Sequence, residues 1–286
     1  MKLQYLRKEY HARICREIIR FKKIGFFEYP NFADRGTKTS RRIATLVTQS
    51  LECEPQYTRI SGQSTGSYFE IITKDFLESS LTFLQHLRPG KWHYATQISI
   101  SDFDQYEHLA DLEKLVDQID TLSASLGTDY IIKPDIIIGR YPISDDEINQ
   151  QDQFIGEQSR DIASLTPLRE VNIPARTMIL HASISCKWTL RSDRSQNARA
   201  EALNLIRNRK GGLPHVVAVT AEPMPTRIAS LALGTGDLDC VYHFALPELR
   251  RAIQKLKYED QMDMLNTLIT GRRLRDISDL PFDLII

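Results

Sequence analysis

The 286-residue sequence has 37 Lys plus Arg against 37 Asp plus Glu, a formal net charge of zero, and is 42% hydrophobic and 26% charged. That is enough to bury a sizeable core and is ordinary for a soluble globular chain, so disorder is excluded. The charge balance argues against a protein that coats nucleic acid non-specifically, but not against a DNA enzyme with a locally basic cleft.

The first stretch, from about Leu3 to Lys23, places Leu6, Tyr10, Ile14, Ile18 and Ile19 at amphipathic helical spacing. GFFEYPNFADRGTKTS is rich in turn formers and reads as a loop carrying Asp34 and Arg35, ahead of a second helix over Arg41–Glu52. RISGQSTGSYFEIITKDFLESSLTFLQHL opens as a flexible loop and becomes a long helix with Phe69, Ile72, Phe76, Leu81 and Leu84 as its stripe. Glu70 falls in its first turns, where a carboxylate also serves as a partner of the helix dipole. HYATQISIS alternates like a strand, and Asp104–Leu122 reads as a helix with Leu109, Leu112, Leu115, Val116 and Ile119 inward. Gly127 then closes it before a strand over Tyr130–Gly139.

In that strand KPDIIIG sets Asp135 before a β-branched run. ILHASISCKWTLR is a second long strand, with Ser183, Ser185 and Lys187 on one face. RSDR follows, then the helical pattern QNARAEALNLIRNRK with Glu201 near its start. LPHVVAVTAE reads as a strand covered on both faces. EPMPTR, a short helix ending in GTG, the strand DCVYHFAL, a C-terminal helix LPELRRAIQKLKYEDQMDMLNTLIT and short apolar pieces complete the chain. Strands separated by helices predict an α/β domain with a mixed sheet flanked by helices, and the absence of any linker or repeat predicts one domain over 1–286.

The four cysteines, Cys15, Cys53, Cys186 and Cys240, are far apart and form no CxxC pair, so neither a zinc ribbon nor a disulfide framework is expected. The charged N-terminus lacks the apolar core of a signal peptide and no run reaches membrane-spanning length. The expectation is a reduced, cytoplasmic protein.

An acid before one strand, a lysine in the next and an acid on the following helix point to a Mg²⁺-dependent phosphodiesterase. Mg²⁺ takes hard oxygen ligands and keeps several waters, so one or two carboxylates beside a phosphate suffice. Asp135 is the first candidate ligand. Lys187 supplies an ammonium that neutralises phosphate charge and holds or helps deprotonate the attacking water, a task that burial would favour by lowering its pKa. Taken singly, an Asp after Pro also serves as a strand-entry turn and a strand Lys as a solvent-facing charge. Arg191, Asp193 and Arg194 add a second logic. Arginine bonds bidentately to guanine and a carboxylate accepts from cytosine, so the cluster can read two adjacent G·C pairs, and a two-fold dimer would read CCGG or GGCC. The same residues also suit a solvated turn with Asp193 at a helix N-terminus.

On GQSTGSYFE, KPDIII, LHASISCKWTLRSDRSQNARAEALNLIRNRKG, LPHVVAVTAEPMPTRIASLALGTG, DCVYHFAL and RDISDLPFDL the chain resembles the type IIF restriction endonucleases of CCGG-cored sites, in the PD-(D/E)xK superfamily. The likeness is weakest in the N-terminal helices and from Tyr141 to Arg176. It departs from the superfamily pattern at Ser185, where the second acid would stand, and Glu201 matches the acid that this family carries on the following helix. The resemblance implies that Asp135 and the backbone carbonyl of Cys186 ligate Mg²⁺, that Lys187 serves the water, and that Glu70 and Glu201 complete the site. It places Arg191, Asp193 and Arg194 on the inner CCGG, Asp34 and Arg227 on an outer G·C pair, and Gln63 among the DNA-binding residues. It further implies GCCGGC cut after the first G with four-base 5′ overhangs, a homotetramer built as a dimer of dimers on double-stranded DNA, and a methyltransferase acting on the same site.

Two rival readings remain. A repair or recombination nuclease on the same fold would need no base-reading cluster, and a catalytically silent DNA-binding protein would have little reason to hold carboxylates beside phosphate. No GxxxxGK[ST], GxSxG or HExxH motif is present, so ATPase, serine-hydrolase and zinc-protease readings have no support.

Overall fold

The structure, a computed structural model, describes residues 2–118, 132–156, 162–174, 177–190, 192–234 and 236–286. Ile119, Leu122, Gly127, Tyr130 and Arg191, all used in the sequence reading, lie outside the described residues. The chain divides into two compact units, Met1–Leu87 with Ile184–Ala202 and Val216–Ile286, and Arg88–Ser183 with Leu203–His215.

In the first unit, helix α1 (Lys2–Glu17) buries Tyr10 and Ile14, as its spacing predicts, and Ile18 and Ile19 just beyond it are also buried. The turn-rich stretch that follows is not all loop. Helix α1 stops at Glu17, short of the expected Lys23, and Phe21–Ile24 is instead strand β1, which forms a hairpin with β2 (Phe27–Pro30) of the turn-rich stretch, with Ile24 opposite Phe27 and Lys23 opposite Glu28. Gly25, at φ +57°, supplies the left-handed first residue of the two-residue turn. Helix α2 (Lys38–Ser50) begins three residues earlier than its sequence pattern implied. Helix α3 (Gly62–Leu84) starts at Gly62, capped by the Ser61 side chain accepting from the Ser64 N–H at 2.9 Å, so the expected flexible loop is already helix. Its stripe is as read: Phe69, Ile72, Phe76 and Leu81 are buried.

In the second unit, β3 (Trp92–Ala95) pairs antiparallel with β4 (Ile136–Arg140), Trp92 opposite Arg140. The strand expected over HYATQISIS stops at Ala95, because the chain turns into 3-10 helices at Ile100–Asp102 and Asp104–Tyr106. Gly139 lets neighbouring side chains approach closely: a Cβ there would come 3.0 Å from the Phe103 ring and 3.2 Å from the Met178 sulfur, so both would have to shift. In α4 (Glu107–Asp117) Leu109 and Val116 are buried, but Leu112 and Leu115 are exposed, contrary to the expected stripe. A short α5 (Asp145–Ile148) holds Asp145 against the buried Arg169 at 2.7 Å.

The long strand β5 (Ile179–Lys187) is buried along most of its length, and α6 (Ser192–Asn208) follows it. Strand β6 (His215–Thr220) is buried on both faces, as its continuous apolar run predicts. After α7 (Pro225–Ala232) come β7 (Cys240–His243), α8 (Leu246–Leu256), α9 (Glu259–Thr270), β8 (Leu274–Asp276) and α10 (Leu280–Asp283). The expected single C-terminal helix is therefore two, broken where Lys257 takes φ +54°. Strand β8 has no counterpart among the expected elements.

Among the described residues, strands β3 to β8 form a six-stranded sheet in the order β3-β4-β5-β6-β7-β8, antiparallel between β3 and β4 and parallel from β6 through β8. This is the mixed α/β fold that the sequence implied. Contrary to expectation, Cys15 and Cys53 form a disulfide, with Cα atoms 5.1 Å apart across 38 residues of sequence. The ends of α1 and α2 bring them together, which spacing alone does not reveal. Among the described residues no helix is long and apolar enough to cross a membrane.

Candidate active site and base-reading residues

Asp135 is half-buried in the bend that opens β4, in the second unit. The remaining candidate acids and the lysine are carried by the first. There the end of β5 is buried: Ser185 is 8% exposed and Cys186 5%. Lys187, half-buried, closes the strand. Its carbonyl accepts the Thr220 hydroxyl at 2.8 Å, which ties the end of β5 to the end of β6.

Next along the chain, Trp188 is the centre of an aromatic cluster, with ring centroids 5.1 Å from Phe69, 5.6 Å from Phe32 and 5.9 Å from Phe244. Edge and tilted ring contacts of this kind add to the burial of large apolar surfaces. Phe69 and Trp188 immediately adjoin Glu70 and Lys187, so the packing that stabilises the core also sets α3 against the end of β5. Glu70 lies in the third turn of α3, beyond the first-turn reach of the helix dipole. A Cβ on Gly66, one turn before it, would stand 3.9 Å from the Glu70 carboxylate. Glu201, half-buried, sits in α6 between the buried Ala198 and Ala202.

Among the described residues no group of three or more His, Cys, Asp or Glu side chains stands ready to hold a metal ion. The donors that the candidates offer are carboxylate and carbonyl oxygens. That set suits a hard cation that retains much of its water, and not zinc.

Asp193 and Arg194 lie in the first turn of α6, and Arg191 lies outside the described residues. Gln63 is exposed in the first turn of α3. Asp34 and Arg227, far apart in sequence, are brought into direct contact: Arg227 Nη2 donates to Asp34 Oδ2. The Thr37 hydroxyl donates to the same carboxylate at 2.8 Å and the Gly36 N–H at 3.0 Å. Arg227 first, then these two donors, hold the Asp34 carboxyl down to about 2. The loop that carries Asp34 is thus anchored to α7 by an ion pair. An arginine fork beside a carboxylate offers the donors and the acceptor that complement the edges of a G·C pair.

The pair lines a cleft of about 880 Å³ with Lys22, Tyr29, Arg35, Leu190 and Glu222. Sequence reasoning missed Glu222, although an acid ending an otherwise apolar strand is a visible signal. It is 1% exposed. Its Oε2 accepts the Leu190 N–H at 3.0 Å, its Oε1 accepts the Met224 N–H at 3.3 Å, and Arg227 Nη1 stands 3.9 Å from Oε1. Burial pushes its carboxyl up to about 7 against the pull of the two N–H groups and Arg227.

The chain as a whole is similar to known proteins. The profile of the family described as NgoMIV restriction enzyme matches residues 10–286. The type II restriction enzyme NgoMIV of Neisseria gonorrhoeae is 48% identical over 259 residues, which is 89% of this chain and 89% of that protein. Among solved structures, the restriction endonuclease PspGI–substrate DNA complex covers 99% of this chain and 91% of its own, at 13% identity and TM-score 0.30. The type IIF restriction endonuclease Bse634I with cognate DNA covers 94% and 97%, at 13% identity and TM-score 0.33.

Proposed function

Since the chain belongs to the NgoMIV restriction enzyme family, and is therefore a type II site-specific deoxyribonuclease, we propose that it hydrolyses both strands of double-stranded DNA at GCCGGC. Cleavage falls after the first G and leaves four-base 5′ overhangs. The observation that carries the catalytic reading is the anchoring of Lys187. Its carbonyl is held by Thr220 and its neighbour Trp188 is packed on Phe69, beside Glu70.

Mg²⁺ is the proposed cofactor, with Asp135 and the Cys186 carbonyl as ligands and Glu70 and Glu201 completing the acidic surroundings. Such an ion supplies Lewis-acid stabilisation of charge on the scissile phosphate and acidifies bound water. Lys187 places its ammonium beside the phosphate, where it orients the attacking water and offsets the negative charge that grows in the in-line displacement. Ser185, in the place of the usual second acid, leaves that role to Glu201. A site held by packed strand and helix ends costs little reorganisation when the phosphate arrives.

Arg191, Asp193 and Arg194 read the inner CCGG from the start of α6, and Asp34 and Arg227 read the outer pair, with Gln63 also on the DNA. To do so Asp34 and Arg227 exchange their mutual contact for cytosine and guanine edges. Residues 1–286 act as one domain, two-fold pairing of which would match the palindrome, in a homotetramer that holds two DNA copies. A methyltransferase modifying the same sequence would protect the host.

The test uses two plasmids that differ only in one GCCGGC site, each incubated with Mg²⁺ or with EDTA. Linearisation of the site-bearing plasmid alone, and only with Mg²⁺, is the expected result. Cutting in EDTA would refute the metal assignment, and equal cutting of both plasmids the site.

A further inference from the structure

Glu222 touches both candidate reading elements at once. Leu190, whose N–H it accepts, is the last residue before the segment that carries Arg191, Asp193 and Arg194. Met224, whose N–H it also accepts, caps the helix that carries Arg227, and the guanidinium stands over the same carboxylate oxygen. From the other side, the Glu222 N–H donates to Thr220 Oγ1 at 3.1 Å, the hydroxyl that holds the Lys187 carbonyl. Burying a carboxylate is expensive, and two N–H donors need only a neutral acceptor. The feature that calls for a charge at this depth is Arg227.

We propose that Glu222 is a positioning residue for recognition of the outer base pair: its buried carboxylate holds Arg227 in register with the entrance to α6, so that ionisation of Glu222 sets how strongly the enzyme discriminates at that pair. The proposal rests on the reading of Asp34 and Arg227 as outer base-pair readers. When the carboxyl takes a proton, the attraction to Arg227 is lost and the two oxygens become weaker acceptors for the Leu190 and Met224 N–H groups.

The charged and titratable groups around it are few. Arg227 faces it from α7 and Asp34 from the loop before α2, while Lys22, Lys23 and Arg35 line the same cleft. The His243 ring of β7 lies close to the Glu222 backbone. Asp34 is held down to about 2 by Arg227, and burial holds His243 down to about 4, so both keep one charge state around neutrality. Glu222, pushed up to about 7, changes its own there.

The experiment measures kcat/KM on duplexes containing GCCGGC and ACCGGT from about pH 6 to about pH 8.5, for the wild type and for Glu222→Gln. The ratio of the two values cancels the pH dependence of the chemical step. In the wild type the ratio should rise on the order of tenfold with pH, centred near neutrality, the equivalent of about 1.4 kcal/mol at the outer pair. Glu222→Gln should stay flat at the low-pH value. A flat, non-zero discrimination in the wild type overturns the proposal whatever the variant does, as does a variant that titrates like the wild type. If neither protein prefers GCCGGC at any pH, it is the assignment of Asp34 and Arg227 that fails, and this proposal with it.

Discussion

Replacing Arg7 by Leu removes the cation that bridges both acids of a buried cluster tying α1 to the C-terminal part of the first unit. Its guanidinium donates from Nε and Nη2 to Asp276 at 2.8 and 2.9 Å, and from Nη2 and Nη1 to Glu248 at 2.7 and 3.3 Å. The carboxylate side chains are only 8% and 9% exposed, so without Arg7 two acids remain in the interior with reduced compensation. Breaking a buried pair from one side costs about 3–5 kcal/mol. Here the loss should lie near the lower end, about 3 kcal/mol, because Arg251 still reaches Glu248 at 2.9 Å and the Leu246 and Ser278 N–H groups still bond to Asp276. Burial pushes both carboxyls up, but the hydrogen bonds from Arg7 outweigh it and hold them low. A carboxyl depressed in the folded state contributes stability above its unfolded pKa and loses it as pH falls through the folded value. The variant should therefore fall furthest behind the wild type near neutral pH and less at about pH 5, where the stranded acids take up protons. Urea unfolding followed by circular dichroism at both pH values measures this. A deficit below about 1 kcal/mol, or one equal at the two pH values, would show that water screens the cluster and would refute the reasoning.

Further outcomes concern the site and the interior. Lys187→Ala should abolish cleavage and leave site-specific binding intact in a gel-shift assay, and equal loss of both would make Lys187 structural. Arg194→Ala should weaken binding to the cognate duplex by about 1–3 kcal/mol and relax discrimination at one inner pair, whereas uniform weakening on all sequences would make it a phosphate contact. His243 is fully buried and held down to about 4 from an ordinary 6.5, so the unfolded chain binds its proton first and stability is lost as pH falls between those values. The full loss is about 3 kcal/mol. Glu222 acts with the opposite sign: raised from 4.5 to about 7, it costs stability as pH rises through that window. Denaturation of His243→Gln at pH 7 and pH 5 should consequently show a smaller acid loss than the wild type, and an unchanged loss would mean that His243 is protonated in the folded protein.

The elements that carry the chemistry were legible because their patterns are long and physically unambiguous. The long alternating stretch ending at Lys187 became β5, the continuous apolar run that follows became β6, and the 3.6-residue stripe around Glu70 became α3. The misses are places where tertiary packing decides. The stripe of α4 extrapolated inward positions to Leu112 and Leu115, yet only one side of that helix meets the core. Strand β8 is three residues long, too short to show a period, and Lys257 takes a left-handed conformation that no glycine announces. Cys15 and Cys53 carry no spacing signal; two helix ends bring them together. The Asp34–Arg227 pair spans 193 residues and reads locally as a loop acid and a helix arginine. Glu222 was visible as an acid closing an apolar strand, but its significance comes from what lies beside it in space.

The most direct test of the account is to digest genomic DNA to completion with the purified enzyme and Mg²⁺, and then sequence every new end. The account predicts that all ends carry a four-base 5′ CCGG overhang and derive from GCCGGC alone. Ends at CCGG in other outer contexts would contradict the roles given to Asp34 and Arg227, and ends with no common sequence would contradict the reading of the site as a whole.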